Sequence, residues 1–126
     1  MVNETKNRGW WIPGGAVDAG ETFSVAAKRE CLEEAGIDIE LKGLLGIDYR
    51  LFNEAGFKMR VIFYAEPIDA DQVPKQVEDS ESVEARYVTL NEFPQLGKIR
   101  GDELLIFGKK VEEGRISPMD LLDEAG

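Results

Sequence analysis

Residues Gly15–Ile37 read GAVDAGETFSVAAKRECLEEAGI, and the reading of this stretch decides the fold. A glycine-rich loop leads into a short amphipathic helix, and Gly36 follows it as a stop. Thr22 is placed to cap the helix start, and Gly36 sits where a left-handed C-terminal stop belongs. The helix carries Glu30, Glu33 and Glu34 near its C-terminal end. Side chains three and four residues apart are helical neighbours, so the three carboxylates share one face, over an arc of roughly 100°. Like charges in that arrangement cost an isolated helix about 0.2–0.5 kcal/mol per pair. A cation resting on the cluster would offset the repulsion, and a hard divalent metal held by carboxylate oxygens fits best. Val25, Leu32 and Ala35 are the expected buried side, with Cys31 at its margin.

The composition narrows the chemistry around this helix. The chain has 126 residues, enough for one domain with a real core. It is 43% hydrophobic and 32% charged, as a globular protein is. It contains no histidine, which removes imidazole acid–base chemistry, His-based triads and His-ligated zinc together. Its single cysteine, Cys31, forms no internal disulfide and fits a reducing cytoplasm. A net charge of −10 argues against general nucleic-acid binding, which draws on a basic surface. A small anionic substrate accompanied by metal ions is compatible with that charge. No apolar run approaches the roughly 18 residues of a membrane helix, so no membrane partner is expected.

Outward from the helix, the chain alternates strands, turns and one further helix. Upstream, Trp10-Trp11-Ile12 is a short apolar run broken by Pro13-Gly14-Gly15. Downstream, Leu44–Phe52 and Phe57–Glu66 flank Asn53-Glu54-Ala55-Gly56, a good hairpin connection. In the second strand, Phe57, Met59, Val61, Phe63 and Ala65 form the expected core face. The opposite face carries Arg60 and Tyr64, which could meet a ligand. Ile68–Val83 reads as an acidic loop, Glu84–Leu90 as a strand and Asn91–Phe93 as a turn or short helix. A helical pattern covers Asp102–Glu113, and Arg115–Gly126 reads as a partly ordered tail. The class is α/β, with helices on both sides of a mixed sheet.

The opening stretch resembles the Nudix box of the Nudix hydrolase superfamily. That pattern is a glycine, five residues, a glutamate, seven residues, then Arg-Glu-aliphatic-any-Glu-Glu-any-Gly-aliphatic. Gly15, Glu21, Arg29, Glu30, Cys31, Glu33, Glu34, Gly36 and Ile37 meet it, Cys31 being the loose match. Seven fixed positions at residue frequencies of about 5–7% coincide by chance about once in 10⁸ starts. The preceding Trp10–Gly15 also looks like the family's usual approach to the box.

The resemblance implies a Nudix-type α/β/α sandwich over residues 1–126 as a single domain, in which a mixed sheet lies between helices. Only nine residues precede Trp10, so the usual N-terminal strand is expected to be missing. An open sheet edge would follow, inviting a homodimer or strand exchange. The resemblance makes Glu30 and Glu34, supported by Glu33, the Mg²⁺ or Mn²⁺ ligands, with the carbonyl of Gly15 and an outside glutamate, Glu81 or Glu84. It pairs Arg29 with Glu21, joining loop to helix. Members cleave a diphosphate bond in a nucleoside diphosphate derivative by in-line attack of water on phosphorus. Without histidine, a carboxylate is the base, and Glu33 and Glu34 both remain open. Candidate substrate contacts are Trp11, Arg50, Arg60 and Tyr64. The alternative is a non-catalytic, nucleotide-sensing module on the same fold. The substrate stays open: Leu51–Ala55 lacks the proline and tyrosine that mark some subfamilies. Faint similarity in the Trp-Trp and post-box strands points toward enzymes of oxidised guanine nucleoside diphosphates.

Overall fold

The long hairpin that follows the acidic helix is the largest element of the fold. A computed structural model describes residues 1–124. In chain order the elements are β1 (Val2–Glu4), β2 (Gly9–Trp11), α1 (Phe23–Ala35), β3 (Ile39–Phe52), β4 (Gly56–Pro67), β5 (Glu84–Ala85) and α2 (Glu103–Glu112). Short 3₁₀ turns occupy Leu90–Gln95 and Met119–Leu121. The α/β class is the one expected. The strands form two antiparallel pieces, β2-β1-β5 and β3-β4, and a bridge between Trp10 and Ile99 runs parallel.

One expectation about the start of the chain is corrected. The residues before Trp10 do hold a strand, because the reversal is tight enough to fit. Lys6 (φ 60°) and Asn7 (φ 57°) both take the left-handed conformation, so Glu4 already pairs with Gly9. β1 therefore lies between β2 and β5, and Val2 is fully buried. The core gathers Val2, Cys31, Ala35, Ile37 and Ala85, with Ile39 packed against it.

The hairpin turns where its sequence asks it to. Asn53 accepts a hydrogen bond from the Ala55 N–H at 2.9 Å, and Gly56 takes φ 121°. Its burial differs from the alternation read in the sequence. Phe57 is 65% exposed and Met59 39%, whereas Ile62, on the face of Arg60 and Tyr64, is buried. The reason lies in the packing: α1 and α2 lie against β3, and the distal half of the hairpin extends beyond them. The strand expected over Glu84–Leu90 is also shorter, ending at Ala85.

The stretch after Arg115, read as a partly ordered tail, is docked through residue 124; Ala125 and Gly126 lie outside the described residues. Ser117 exchanges two backbone hydrogen bonds with Leu44, of 2.8 and 2.9 Å. Glu124 accepts from the backbone N–H of Ser24 at 3.0 Å, fastening the segment to the first turn of α1. Gly43 makes the Ser117 contact possible, since a Cβ there would lie 2.7 Å from the Ser117 carbonyl oxygen. Gly43→Ala is therefore expected to lose about 1–3 kcal/mol of stability in urea unfolding. Gly46→Ala, where a Cβ meets nothing within 4 Å, is the control and should stay within about 0.5 kcal/mol.

Candidate active site

Helix α1 is built as its sequence specifies, but it is rotated from the expected position. The Thr22 side chain accepts from the Val25 N–H at 3.2 Å, and Gly36 (φ 72°) closes the helix with its N–H on the Leu32 carbonyl. Val25 and Leu32, expected inside, are 52% and 49% exposed. The buried stripe is Ala26, Cys31, Glu34 and Ala35, because small side chains let the helix settle closely on β1 and β5. This rotation carries Glu34 inward, to 7% exposure.

A buried carboxylate needs partners. Glu34 Oε1 accepts the Gly14 N–H at 2.8 Å, which ties the loop before the helix to its last turn. The backbone carbonyl of Glu34 accepts the buried Ser82 hydroxyl at 2.7 Å. Burial pushes the Glu34 carboxyl up to about 7; the Gly14 N–H opposes the shift, and the charges of Glu30, Glu4 and Glu81 add to it.

Arg29 holds the other acids. It donates Nε to Glu21 Oε2 at 2.8 Å and Nη2 to Oε1 at 2.9 Å, a bidentate pair. Nη1 reaches Glu30 Oε1 at 2.9 Å and Glu33 Oε2 at 3.3 Å, and Nη2 also reaches the Ala16 carbonyl at 3.2 Å. The Arg29 hydrogen bonds, followed by that from the Asp18 N–H, draw the Glu21 carboxyl down to about 2. These acids hold the Arg29 guanidinium well above its ordinary value.

The donor set suits a hard divalent cation in its chemistry. All its donors are oxygens, and among the described residues Glu34 has no ion-pair partner within 4.0 Å, whereas its acidic neighbour Glu4 is held by Arg100 at 2.9 Å. A Cβ on Gly15 would stand 2.5 Å from Glu30 Oε1, so only glycine lets that carboxylate approach the loop so closely. Among the described residues, no three His, Cys, Asp or Glu side chains converge tightly enough to hold a metal in the arrangement seen. Arg29 occupies Glu30 and Glu33 there. Glu81 is exposed, with its charge felt at Glu34. Glu84 is half-buried and accepts from Arg86 at 3.1 Å.

A cleft of about 1670 Å³ opens beside the loop and α1. Gly15, Glu21 and Glu30 line it, while Arg29, Glu33, Glu34 and Glu81 stand outside its lining. Trp11, Arg50, Arg60 and Tyr64, the candidate substrate contacts, all line it too. Trp10 does not: it is 5% exposed, in the core beneath Arg86. Arg60 is already committed, to Asp48 at 3.0 and 2.5 Å and to Glu103 at 2.7 Å. Arg50 reaches Glu103 at 3.4 Å.

Two residues absent from the sequence reading belong to this wall. Glu4 adds to the charge around Glu34, and it accepts from Arg100 at 2.9 Å. The Arg100 guanidinium lies 5.8 Å from the centre of the Trp11 ring, covering it. No local pattern signals either residue, because 96 positions separate the pair.

Comparison with known proteins identifies the family. The family model for the NUDIX domain matches residues 1–106. The 8-oxo-dGDP phosphatase NUDT18 of Homo sapiens is 31% identical over 97 residues, which are 75% of this chain and 29% of that protein. Its Mus musculus counterpart is 35% identical over 88 residues, 68% of this chain and 26% of that one. The nucleoside diphosphate-linked moiety X motif 6 protein of Xenopus laevis is 51% identical over 45 residues, 36% of this chain and 20% of that one. The chain thus spans less than a third of the length of these relatives. A NUDIX hydrolase from Nitrosomonas europaea has the same fold, at a TM-score of 0.67 and 23% identity, covering 88% of this chain and 75% of that one. On the strength of the box, the fold that carries it and the match over residues 1–106, the chain belongs to the Nudix family.

Proposed function

We propose that residues 1–126 act as a single Nudix domain that hydrolyses the diphosphate linkage of a nucleoside diphosphate derivative. The observation that carries the reading is Glu30 seated against Gly15 at the wall of a cleft that Trp11 also lines. An oxidised guanine nucleoside diphosphate is the substrate we favour, on the support of the human and mouse relatives' names. No described helix is long and apolar enough to cross a membrane. We place the working protein in the cytoplasm, with a small-molecule nucleotide as its partner.

Nudix hydrolases generally use divalent metal ions. Glu30 and Glu34, supported by Glu33, the Gly15 carbonyl and Glu81, would hold Mg²⁺ or Mn²⁺ here. Such an ion, when bound, neutralises phosphate charge and makes water a better nucleophile. The rest of the work falls to the chain. Trp11, with Arg100 over it, offers a flat face to the base. Arg29 keeps Glu21 and the loop against the helix, so that Gly15 and Glu30 stay in register. As water adds to phosphorus and the bridging P–O bond breaks, a box carboxylate takes the water's proton. Glu33 and Glu34 are the two candidates for that role.

Turnover of a nucleoside diphosphate panel with Mg²⁺ tests the reading. Glu34→Gln should lower kcat by about 100-fold or more while the fold is retained. Equal phosphate release from both proteins contradicts the assignment, and nucleotide binding without turnover by either favours the sensing module. Cation binding should also carry a pH signature. The raised Glu34 carboxyl holds a proton below about 7 that a cation must displace. The Mg²⁺-induced rise in melting temperature should therefore be small at acid pH and grow as pH passes through about 7. In Glu34→Gln that growth should disappear.

A further inference from the structure

The last turn of α1 carries Glu33 and Glu34 and ends in backbone carbonyls that the helix cannot bond from within. Each carbonyl from Leu32 to Ala35 nevertheless has a donor. The Gly36 N–H takes that of Leu32 at 3.0 Å. The other three are met by one segment, residues 75–82. The Lys75 ammonium donates to the Glu33 carbonyl at 2.9 Å, and the Ser82 hydroxyl to that of Glu34 at 2.7 Å. The Lys75 N–H donates to the Ala35 carbonyl at 2.8 Å.

The segment is also fastened to itself. Asp79 meets the Lys75 ammonium with one carboxylate oxygen, at 2.5 Å. Its other oxygen accepts the N–H groups of Glu81 and Ser82, at 2.8 and 3.2 Å. The Asp79 N–H closes the turn on the Ser82 carbonyl at 3.0 Å. An aspartate folded back in this way fixes the backbone of the residues that follow it. Ser82 is fully buried, so removing its hydroxyl would leave the Glu34 carbonyl short of a partner. Beside it Glu81 stands exposed, and among the described residues its carboxylate has no ion-pair partner within 4.0 Å. Glu84 is instead held by Arg86 at 3.1 Å.

We propose that Lys75, Asp79 and Ser82 form a clasp that keeps Glu81 beside the acidic face of α1, with Ser82 as its positioning residue. The inference rests on the reading that Glu30 and Glu34 hold a cation. It adds the residues that make Glu81, rather than Glu84, the ligand from outside the box. The peptide that carries Glu81 is joined through Ser82 to the backbone of Glu34 itself. The loop cannot drift from the helix end without breaking a buried hydrogen bond, so Glu81 needs no ordering when a cation arrives.

Calorimetric titration of Mn²⁺ into the full chain, together with amide hydrogen exchange of the metal-free protein, tests the clasp. Ser82→Ala should speed exchange at the amides of residues 81 and 82 and weaken Mn²⁺ binding by about tenfold. Glu81→Gln should weaken it equally. Adding Ser82→Ala to Glu81→Gln should weaken it no further, since the serine acts through that carboxylate. Asp79→Ala, at an exposed position, should show the same coupling while the buried hydroxyl stays in place. Ser80→Ala, exposed in the same loop, should change neither readout. A serine that serves stability alone would lower the melting temperature and leave Mn²⁺ affinity as it was, or would add its loss to that of Glu81→Gln. Either result overturns the clasp, and the cation site still stands if Glu34→Gln weakens binding. A folded wild type that binds no Mn²⁺ overturns both.

Discussion

The guanidinium of Arg29 is the interaction on which the site depends. Its five N–H donors reach Glu21, Glu30, Glu33 and the Ala16 carbonyl from one planar group. Without it, the loop from Gly15 to Glu21 would have no strong link to the middle of α1, and the acids of the helix would face one another unscreened. The pair with Glu21 is bidentate and only partly exposed, the geometry in which an ion pair outperforms the usual surface bridge. A lysine could not replace it, since a point charge cannot grip loop and helix in two directions.

Glu34 is the counterweight. Arg29 does not reach it, and burial together with three acidic neighbours raises its proton affinity to the neutral range. The helix thus holds two kinds of carboxylate within one turn: acids quieted by an arginine, and one acid that pays an electrostatic penalty for being charged. The Gly14 N–H supplies part of the compensation. The remainder is the imbalance that the proposed cation would offset.

Much of this was legible in the sequence because it is local. Thr22, Gly36, Asn53 and Gly56 sit at helix ends and turns where short-range geometry dictates the residue, and the structure uses each as its chemistry suggests. The Arg29–Glu21 pair was implied by the resemblance to the Nudix box, and the structure contains it. What was not legible depends on packing between distant segments. The rotation of α1, which buries Glu34 and exposes Val25 and Leu32, is set by contact with β1 and β5. Two-residue alternation in β4 indicates that its faces differ, but which face meets the interior is decided by where α1 and α2 lie. The first strand was missed because a four-residue reversal with two left-handed residues needs no glycine at either central position. Glu4 and Arg100 meet only in the folded chain.

The central claim, that the acidic face of α1 is a cation site completed by Glu30 and Glu34, is tested most directly by calorimetric titration of Mn²⁺ into the nucleotide-free protein at neutral pH. The account predicts saturable binding that weakens by about tenfold or more in both Glu30→Gln and Glu34→Gln, while Glu113→Gln, at the far end of α2, leaves it unchanged. Binding of equal strength in all four proteins, or none in the folded wild type, would contradict it.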